Sequence, residues 1–323
     1  MSKRRINKQQ TARIQKIQSD YRQNIETDEL LSTQQGLVLS RFSRHAIIEN
    51  DTNDRIHCSI RPNIDSLVAG DRVIWQAEGK HGVVVSRFPR DSMLGRPDKR
   101  GEFKPIAANI TQVIVVVAAK PELSWSLLDS YLVMIEHLGL NVCIVLNKMD
   151  IANPSLQDEL LAFYEPLGYP VLFTSSQDNQ GYDLLKQTLN HQTSVFVGQS
   201  GVGKSSLIAG ILPHETNIQT AAISVGSELG CHTTSNSRLY HLPSGGNLID
   251  SPGVREFGLW HMPVSEITQG YREFKPLTSQ CKFRNCNHRD SPGCAIIAAL
   301  EEGKLAQRRY DSFLKITTQF AKS

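Results

Sequence analysis

The rhythm of hydrophobic and polar positions changes twice along the chain. From Gly36 to about Phe88 apolar residues come in short alternating runs, GLVLSR, HAIIEN, RIHCSI, DRVIWQ and GVVVSRF. The turn-forming breaks ENDTND, VAGD and EGKHG part them, so the pattern predicts five short strands closing into a small barrel. The polar stretch DSMLGRPDKRGEFKP reads as a linker. Beyond it, strands and helices alternate: TQVIVVVAA, then SWSLLDSYLVMIEHLG; NVCIVLNK, then SLQDELLAFYEPLG; YPVLFTSS, then GYDLLKQTL; and finally SVFVGQSGVGKSSLIAGIL as strand, loop and helix. Such alternation predicts right-handed crossovers and a mostly parallel sheet covered on both faces. SRLYHL and GNLID read as two further strands of this segment. Past Gly253 the texture turns polar and aromatic (YREFKPL), followed by a Cys/His cluster and a helix from Ala295 into the 310s. No internal repeat is present.

These rhythms describe a multidomain α/β protein: an arm over residues 1–35, a barrel and linker over 36–103, an α/β domain over 104–260 and a C-terminal domain over 261–323. A length of 323 residues, 40% of them hydrophobic and 21% charged, suits a multidomain soluble protein. No apolar run is long enough to cross a bilayer; VIVVVAA (Val113 to Ala119) suits a buried parallel strand instead. The opening MSKRRINKQQ lacks the apolar core of a secretory signal, so the expected location is cytoplasmic, with no membrane partner.

The net charge of +3 conceals an asymmetry. Lys3, Arg4, Arg5, Lys8, Arg13 and Lys16 face Asp20 alone within the first twenty residues, and the remainder is close to neutral. This Gln-rich basic arm reads either as a solvated tail or as a segment that neutralises nucleic-acid phosphates. The barrel's strand count fits an oligonucleotide-binding (OB) barrel, and Arg41, Arg44, Arg55, Arg61 and Arg87 would give it a basic surface. The same arginines would equally coat an ordinary barrel, so RNA contact is a hypothesis here.

Chemistry first becomes specific at Gly198, Gln199, Ser200, Gly201, Val202, Gly203, Lys204 and Ser205, which spell G-x-x-x-x-G-K-[ST] between a predicted strand and a predicted helix, with Ser206 following. The glycines let backbone N–H groups turn inward, and with the helix N-terminus these form a polyphosphate cradle. Lys204 is the candidate for the β/γ phosphate oxygens and Ser205 for Mg²⁺. Downstream, NLIDSPGV places Asp250 at a strand end as a further Mg²⁺ ligand and the Gly253 amide where it can sense a γ-phosphate. The long polar loop between them contains Thr233 and Thr234, candidates to close over Mg²⁺ and the γ-phosphate.

Asn147, Lys148, Met149 and Asp150 follow the strand NVCIVL as N-K-x-D. A carboxylate at Asp150 accepts from guanine N1–H and the exocyclic amine; adenine offers no matching donors, and a buried Asp150 would be stranded. Asn147 is expected to position the loop and the Lys148 stem to pack on the ring. Thr174, Ser175 and Ser176 read as the companion loop holding the guanine oxygen. Base-reading loops thus precede the phosphate loop, the order of a circularly permuted GTPase. Joining old termini and opening new ones is tolerated where termini lie close together on a surface.

Cys58, Cys143 and Cys231 are isolated, whereas Cys281, Cys286, His288 and Cys294 fall within fourteen residues. Three thiolates and an imidazole match closed tetrahedral Zn²⁺ coordination of a structural kind.

The barrel, NKMD, GQSGVGKS, GCHTT, DSPG and the C/C/H/C cluster, in that order, resemble the RsgA-type (YjeQ-type) GTPases of small ribosomal subunit biogenesis. The resemblance spans residue 36 to about 310. It implies GTP hydrolysis to GDP, Mg²⁺ dependence, one structural zinc, and a monomer that binds the small ribosomal subunit and its rRNA late in maturation. It also implies that the subunit stimulates turnover. Many small GTPases place a water-orienting Gln directly after D-x-x-G; here that position is Val254. By itself His232 reads as a solvent-facing loop histidine, and it is the resemblance that implies it as the water-positioning group. Two rivals stand at this point: an RNA-binding scaffold that holds nucleotide without turnover, and a P-loop ATPase in which NKMD is coincidental.

Overall fold

The computed structural model describes residues 33–64, 66–79, 81–97, 103–151, 153–212, 237–250 and 262–320. They group into two compact units, one built from the described parts of Met1–Ile110, Thr234–Tyr240 and Leu248–Gly253, the other from those of Thr111–Thr233, His241–Asn247 and Val254–Ser323.

The first unit is the barrel. Its strands are β1 (Thr33–Phe42), β2 (His45–Glu49), β3 (Arg55–Ile60), β4 (Arg72–Glu78) and β5 (His81–Arg87). β1 pairs with both β2 and β4, β2 with β3, β3 in parallel with β5, and β5 with β4, which closes the ring. β1 is long, pairing with β4 from Thr33 to Leu37 and with β2 from Leu37 to Phe42, and is bulged between Val38 and Ser40. The inward residues Val38, Ala46, Ile48, Cys58, Val73, Trp75 and Val84 form the core. Gly36 is required by closeness: a Cβ there would lie 2.4 Å from the Ile48 side chain. The buried Asp71 carboxylate accepts from Arg90 Nε at 2.7 Å and Nη2 at 2.8 Å, a bidentate pair that ties the following segment to the barrel.

That segment differs from the linker expected. Met93–Pro97 (β6) and Phe103–Ala108 (β7) pair as an antiparallel hairpin, so a boundary at residue 103 falls inside β7. Gly and Pro mask the pattern in the sequence, but Leu94, Ile106, Ala107 and Ala108 are buried. A second finding concerns β12 (Arg238–His241). It pairs antiparallel with β1, Ser40 opposite Arg238, a partner that the sequence pattern did not announce. β13 (Asn247–Asp250) is next to it in the strand order.

The second unit holds the parallel sheet, ordered β10 (Val171–Phe173), β9 (Asn141–Asn147), β8 (Gln112–Ala118), β11 (Thr193–Val197). All three contacts are parallel, and β8 is buried at every position, as its uninterrupted apolar run requires. Helices α1 (Trp125–Leu138), α2 (Pro154–Tyr164) and α3 (Tyr182–Leu189) connect these strands, and α4 (Lys204–Ile211) follows β11. α1 ends on Gly139 in the left-handed region, and α2 starts where Asn153 accepts from the Leu156 N–H.

The C-terminal segment belongs to this same unit. Its helices are α5 (Val264–Gln269), α6 (Lys275–Thr278), α7 (Ala295–Glu301) and α8 (Gln307–Phe320). The single helix expected from Ala295 is broken into α7 and α8 at Gly303, whose φ is +70°. Tyr271 stacks on Phe274 and both meet Phe313 edge-on, forming an aromatic core with Phe274 and Phe313 centroids 5.3 Å apart. Arg309 of α8 is buried and pairs with the buried Asp129 of α1, while its Nε donates to Glu273 at 2.7 Å. Tyr164 donates to the same Asp129 oxygen at 2.7 Å. Burial pushes the Asp129 carboxyl above its usual range and the Arg309 guanidinium opposes that rise.

Because removal of one partner leaves the other charge buried and unpaired, Arg309→Ala is expected to destabilise this unit by about 3–5 kcal/mol. Denaturant unfolding followed by tryptophan fluorescence measures it.

Candidate nucleotide site and metal cluster

Parallel strands bring their carboxyl ends to one edge, and in such sheets ligands bind there. Ala118 of β8 is in register with Asn147 of β9, and Phe173 of β10 with Leu146. The N-K-x-D loop, the Thr174–Ser176 loop and the phosphate loop all leave the sheet at this edge.

The phosphate loop runs from β11 into α4 with Gly198, Gly201 and Gly203 at φ of +138°, +86° and +96°, backbone that side-chain-bearing residues rarely adopt. At Gly198 a Cβ would lie 2.1 Å from the Val116 carbonyl oxygen. Val202 is buried and anchors the loop; Gly201 and Ser200 are exposed on it, and Gln199 is half-buried. Lys204 is buried at the start of α4, its ammonium donating to the carbonyls of Gly198 at 2.7 Å and Gln199 at 2.6 Å. Ser205 and Ser206 are exposed on the first turn of α4.

Asn147 joins the loops. Its Nδ2 donates to the Val202 carbonyl at 2.9 Å, and its Oδ1 accepts from the Thr174 hydroxyl at 3.0 Å. It is buried. Lys148 takes φ +63° and donates to the Lys120 carbonyl at 2.9 Å. The Met149 N–H donates to the Thr174 carbonyl at 3.1 Å. Asp150 accepts from the Ser175 hydroxyl at 3.2 Å. The expectation of a buried Asp150 is corrected: the residue is exposed, so a bound base rather than the protein must cover it before a missing donor becomes costly. Ser176 Oγ is buried and has no hydrogen-bond partner among the described residues, an orphaned polar atom in the loop expected to face the base. Lys120 and Pro121, which follow β8, were not legible as site residues. Pro121 Cδ lies 3.6 Å from the position of a Cβ on Gly201. The available signal was only their place just after a parallel strand.

Asp250 ends β13 in the barrel-containing unit and is half-buried. His232, Thr233, Thr234 and Gly253 lie outside the described residues, as does Val254.

The four candidate zinc ligands converge. One donor atom from each of Cys281, Cys286, His288 and Cys294 lies within 4.8 Å of all the others. Cys281 Sγ and Cys294 Sγ are 3.7 Å and 3.5 Å from His288 Nδ1. Tetrahedral zinc with ordinary Zn–S and Zn–N bonds has S···N edges of about 3.6 Å, so the donors fit that ion. Burial lowers the His288 pKa, which favours the neutral, metal-binding imidazole, and raises Cys294 to about 11. The His288 carbonyl accepts from Tyr310 at 2.8 Å, and Arg289 Nη2 donates to Leu314 O, Thr317 Oγ1 and Thr318 Oγ1, which fastens the cluster to α8.

A phosphate loop held side by side with an N-K-x-D loop that precedes it in the chain, on the carboxyl edge of a parallel sheet, defines a circularly permuted P-loop GTPase. The chain belongs to the RsgA GTPase family, whose profile matches residues 87–260. The small ribosomal subunit biogenesis GTPase RsgA of Hahella chejuensis is 45% identical over 335 residues, covering 98% of this chain and 96% of the relative. Its namesake from Haemophilus influenzae is 45% identical over 331 residues, covering 98% and 95%. YjeQ from Thermotoga maritima superposes with a TM-score of 0.74 at 31% identity, over 90% of this chain and 99% of that one. YloQ, described as a circularly permuted GTPase, superposes with a TM-score of 0.70 at 28% identity, over 91% and 97%. Among the described residues no helix is long and apolar enough to cross a membrane.

Two outcomes follow from this geometry. A Cβ on Gly203 would sit 2.3 Å from Asn147 Nδ2 in a backbone region that side chains rarely adopt. Gly203→Ala is therefore expected to weaken binding of a fluorescent GTP analogue by about 5- to 150-fold, the range set by backbone strain of this kind. Cys286→Ser removes one donor of the cluster; metal analysis of the purified variant is expected to show zinc well below about one ion per chain, and its melting temperature is expected to fall.

Proposed function

We propose that this chain is a monomeric, cytoplasmic GTPase that acts in late maturation of the small ribosomal subunit, contacts rRNA through its barrel and its zinc-binding segment, and turns over faster when bound to the subunit. The bridge made by Asn147 between the Val202 carbonyl and the Thr174 hydroxyl carries the nucleotide part of this reading. It holds the phosphate-binding and base-binding loops in one fixed spacing, which a single purine nucleoside triphosphate can span. The names of the relatives carry the ribosomal part.

In this reading Asp150 accepts from the two guanine donors and the Thr174–Ser176 loop takes the guanine oxygen. Adenine satisfies neither. The Lys148 stem packs on the ring. Lys204 leaves its two loop carbonyls for β/γ phosphate oxygens, and the N–H groups from Gly198 to Ser206 surround the phosphates. Ser205 opens α4 as a magnesium ligand, with Asp250 and Thr233 or Thr234 completing the set proposed from sequence. Mg²⁺, when bound, supplies positive charge that offsets the negative charge on the transferred phosphoryl group. Gly253 would report the γ-phosphate, and His232 would orient the attacking water in place of the Gln absent at Val254. An imidazole activates water only when it points at it, so subunit binding that holds His232 in that direction would raise the rate. Three thiolates and one imidazole leave no open position for water, so the zinc would be structural.

GTP turnover with and without purified small subunits, for the wild type and His232→Ala, tests the proposal. Subunits are expected to accelerate the wild type, excess ATP to leave its rate unchanged, and His232→Ala to lose about 10²-fold of the stimulated rate while still binding GTP. A wild type indifferent to subunits overturns the ribosomal reading, and a fully stimulated His232→Ala overturns the histidine's role.

A further inference from the structure

Phe283 lies on the loop between Cys281 and Cys286, and 43% of it is exposed. The same segment buries Phe274 and Phe313 completely, so an apolar core lies close by. Phe283 is kept from it because two ligand cysteines fix the ends of a short loop, closed by the Cys286 N–H donating to the Phe283 carbonyl at 3.3 Å.

One exposed phenylalanine is ordinary on a protein surface. Its electrostatic setting is not. From Lys275 to Arg289 the chain carries Lys275, Lys282, Arg284 and Arg289 and no Asp or Glu. Arg289 is engaged with the end of α8, while Lys275, Lys282 and Arg284 are exposed. The Lys282 ammonium lies 5.5 Å from the Phe283 ring centroid, so a cation already rests against the aromatic. With zinc bound, the three thiolates leave the cluster one negative charge in excess, less than the positive charge around it.

We propose that this loop binds single-stranded RNA, with Phe283 stacking on an unpaired base while Lys282 and Arg284 take the flanking phosphates. The proposal rests on the reading above, in which the zinc-binding segment contacts rRNA, and assigns the contact to one loop and one class of nucleotide. Every base offers a π face, so stacking needs no particular sequence, and flanking cations match the backbone that must accompany the base. A duplex hides its base faces within the stack, which excludes it as the partner for this ring. A protein partner would be recognised by a broader apolar patch than one ring. A loop held at both ends by metal ligands also loses little conformational freedom on binding.

The test uses the full-length zinc-loaded protein. Anisotropy of a fluorescent single-stranded RNA 12-mer, compared with the same strand in a duplex, is read beside co-sedimentation with small subunits. Phe283→Ala is expected to weaken binding to the single strand and to subunits by about 5- to 150-fold, and Phe283→Trp to restore it. Replacing Lys282 and Arg284 together by Gln is expected to lower the slope of log affinity against log salt by about 1.4, two phosphate contacts' worth on a single strand. Zinc content and subunit-free GTP turnover are expected to match the wild type in every variant. Wild-type affinity in Phe283→Ala overturns the proposal, as does a preference for the duplex. Loss of subunit binding with unchanged 12-mer binding also overturns it, in favour of a contact with protein. If subunits stimulate the wild type and Phe283→Ala binds normally, only this proposal fails. If Phe283 governs 12-mer binding but subunits never stimulate turnover, the platform stands and the ribosomal reading fails.

Discussion

One buried amide holds the nucleotide site together. Asn147 uses its donor on the phosphate loop and its acceptor on the Thr174 loop, so three separate pieces of chain share one side chain. A buried amide with both ends satisfied is stabilising, and with either end broken it is costly, so the three loops are held in one arrangement. This explains how the site tolerates a reversed chain order. Parallel strands deliver their ends to a common edge regardless of which strand is made first. What the site requires is the register that sets Asn147 beside Ala118, and the glycine at 203 that leaves room for the amide.

The C-terminal segment depends on a different device. Cys281, Cys286, His288 and Cys294 gather a polar loop that has little core of its own, and Tyr310 and Arg289 fasten that loop to α8. Arg309 then joins α8 to α1 through the buried Asp129. A buried ion pair is a weak source of net stability, but a packing that separates the two charges leaves one buried without its partner, which is costly. Donor convergence and ion pairing thus give a small, loop-rich segment a defined place within the same compact unit as the parallel sheet.

Strands and helices with a strong period were legible before any coordinates. The five alternating runs became β1 to β5, and the apolar run at Val113 became the fully buried β8. The failures have physical causes. The β6–β7 hairpin was read as a linker because Gly95, Pro97 and Pro105 interrupt its short apolar runs. The pairing of β12 with β1, some two hundred residues earlier in the chain, was invisible because no local pattern announces so distant a partner. Gly303 divides a helix that periodicity alone continues. The exposure of Asp150 was invisible because four residues of motif specify what can be bonded and not how deeply it lies.

The sequence by itself determined which chemical groups are available and in what order: an N-K-x-D loop, a G-x-x-x-x-G-K-[ST] loop and four zinc-type donors. These depend on residue type and near spacing, which the chain states directly. Tertiary structure alone decided that Asn147 reaches Val202, that Arg309 meets Asp129, and that Phe283 stays on the surface while Phe274 and Phe313 are buried. Those outcomes are set by strand register, by which face of a helix finds a neighbour, and by where the loop ends are anchored, none of which is local to any stretch of sequence.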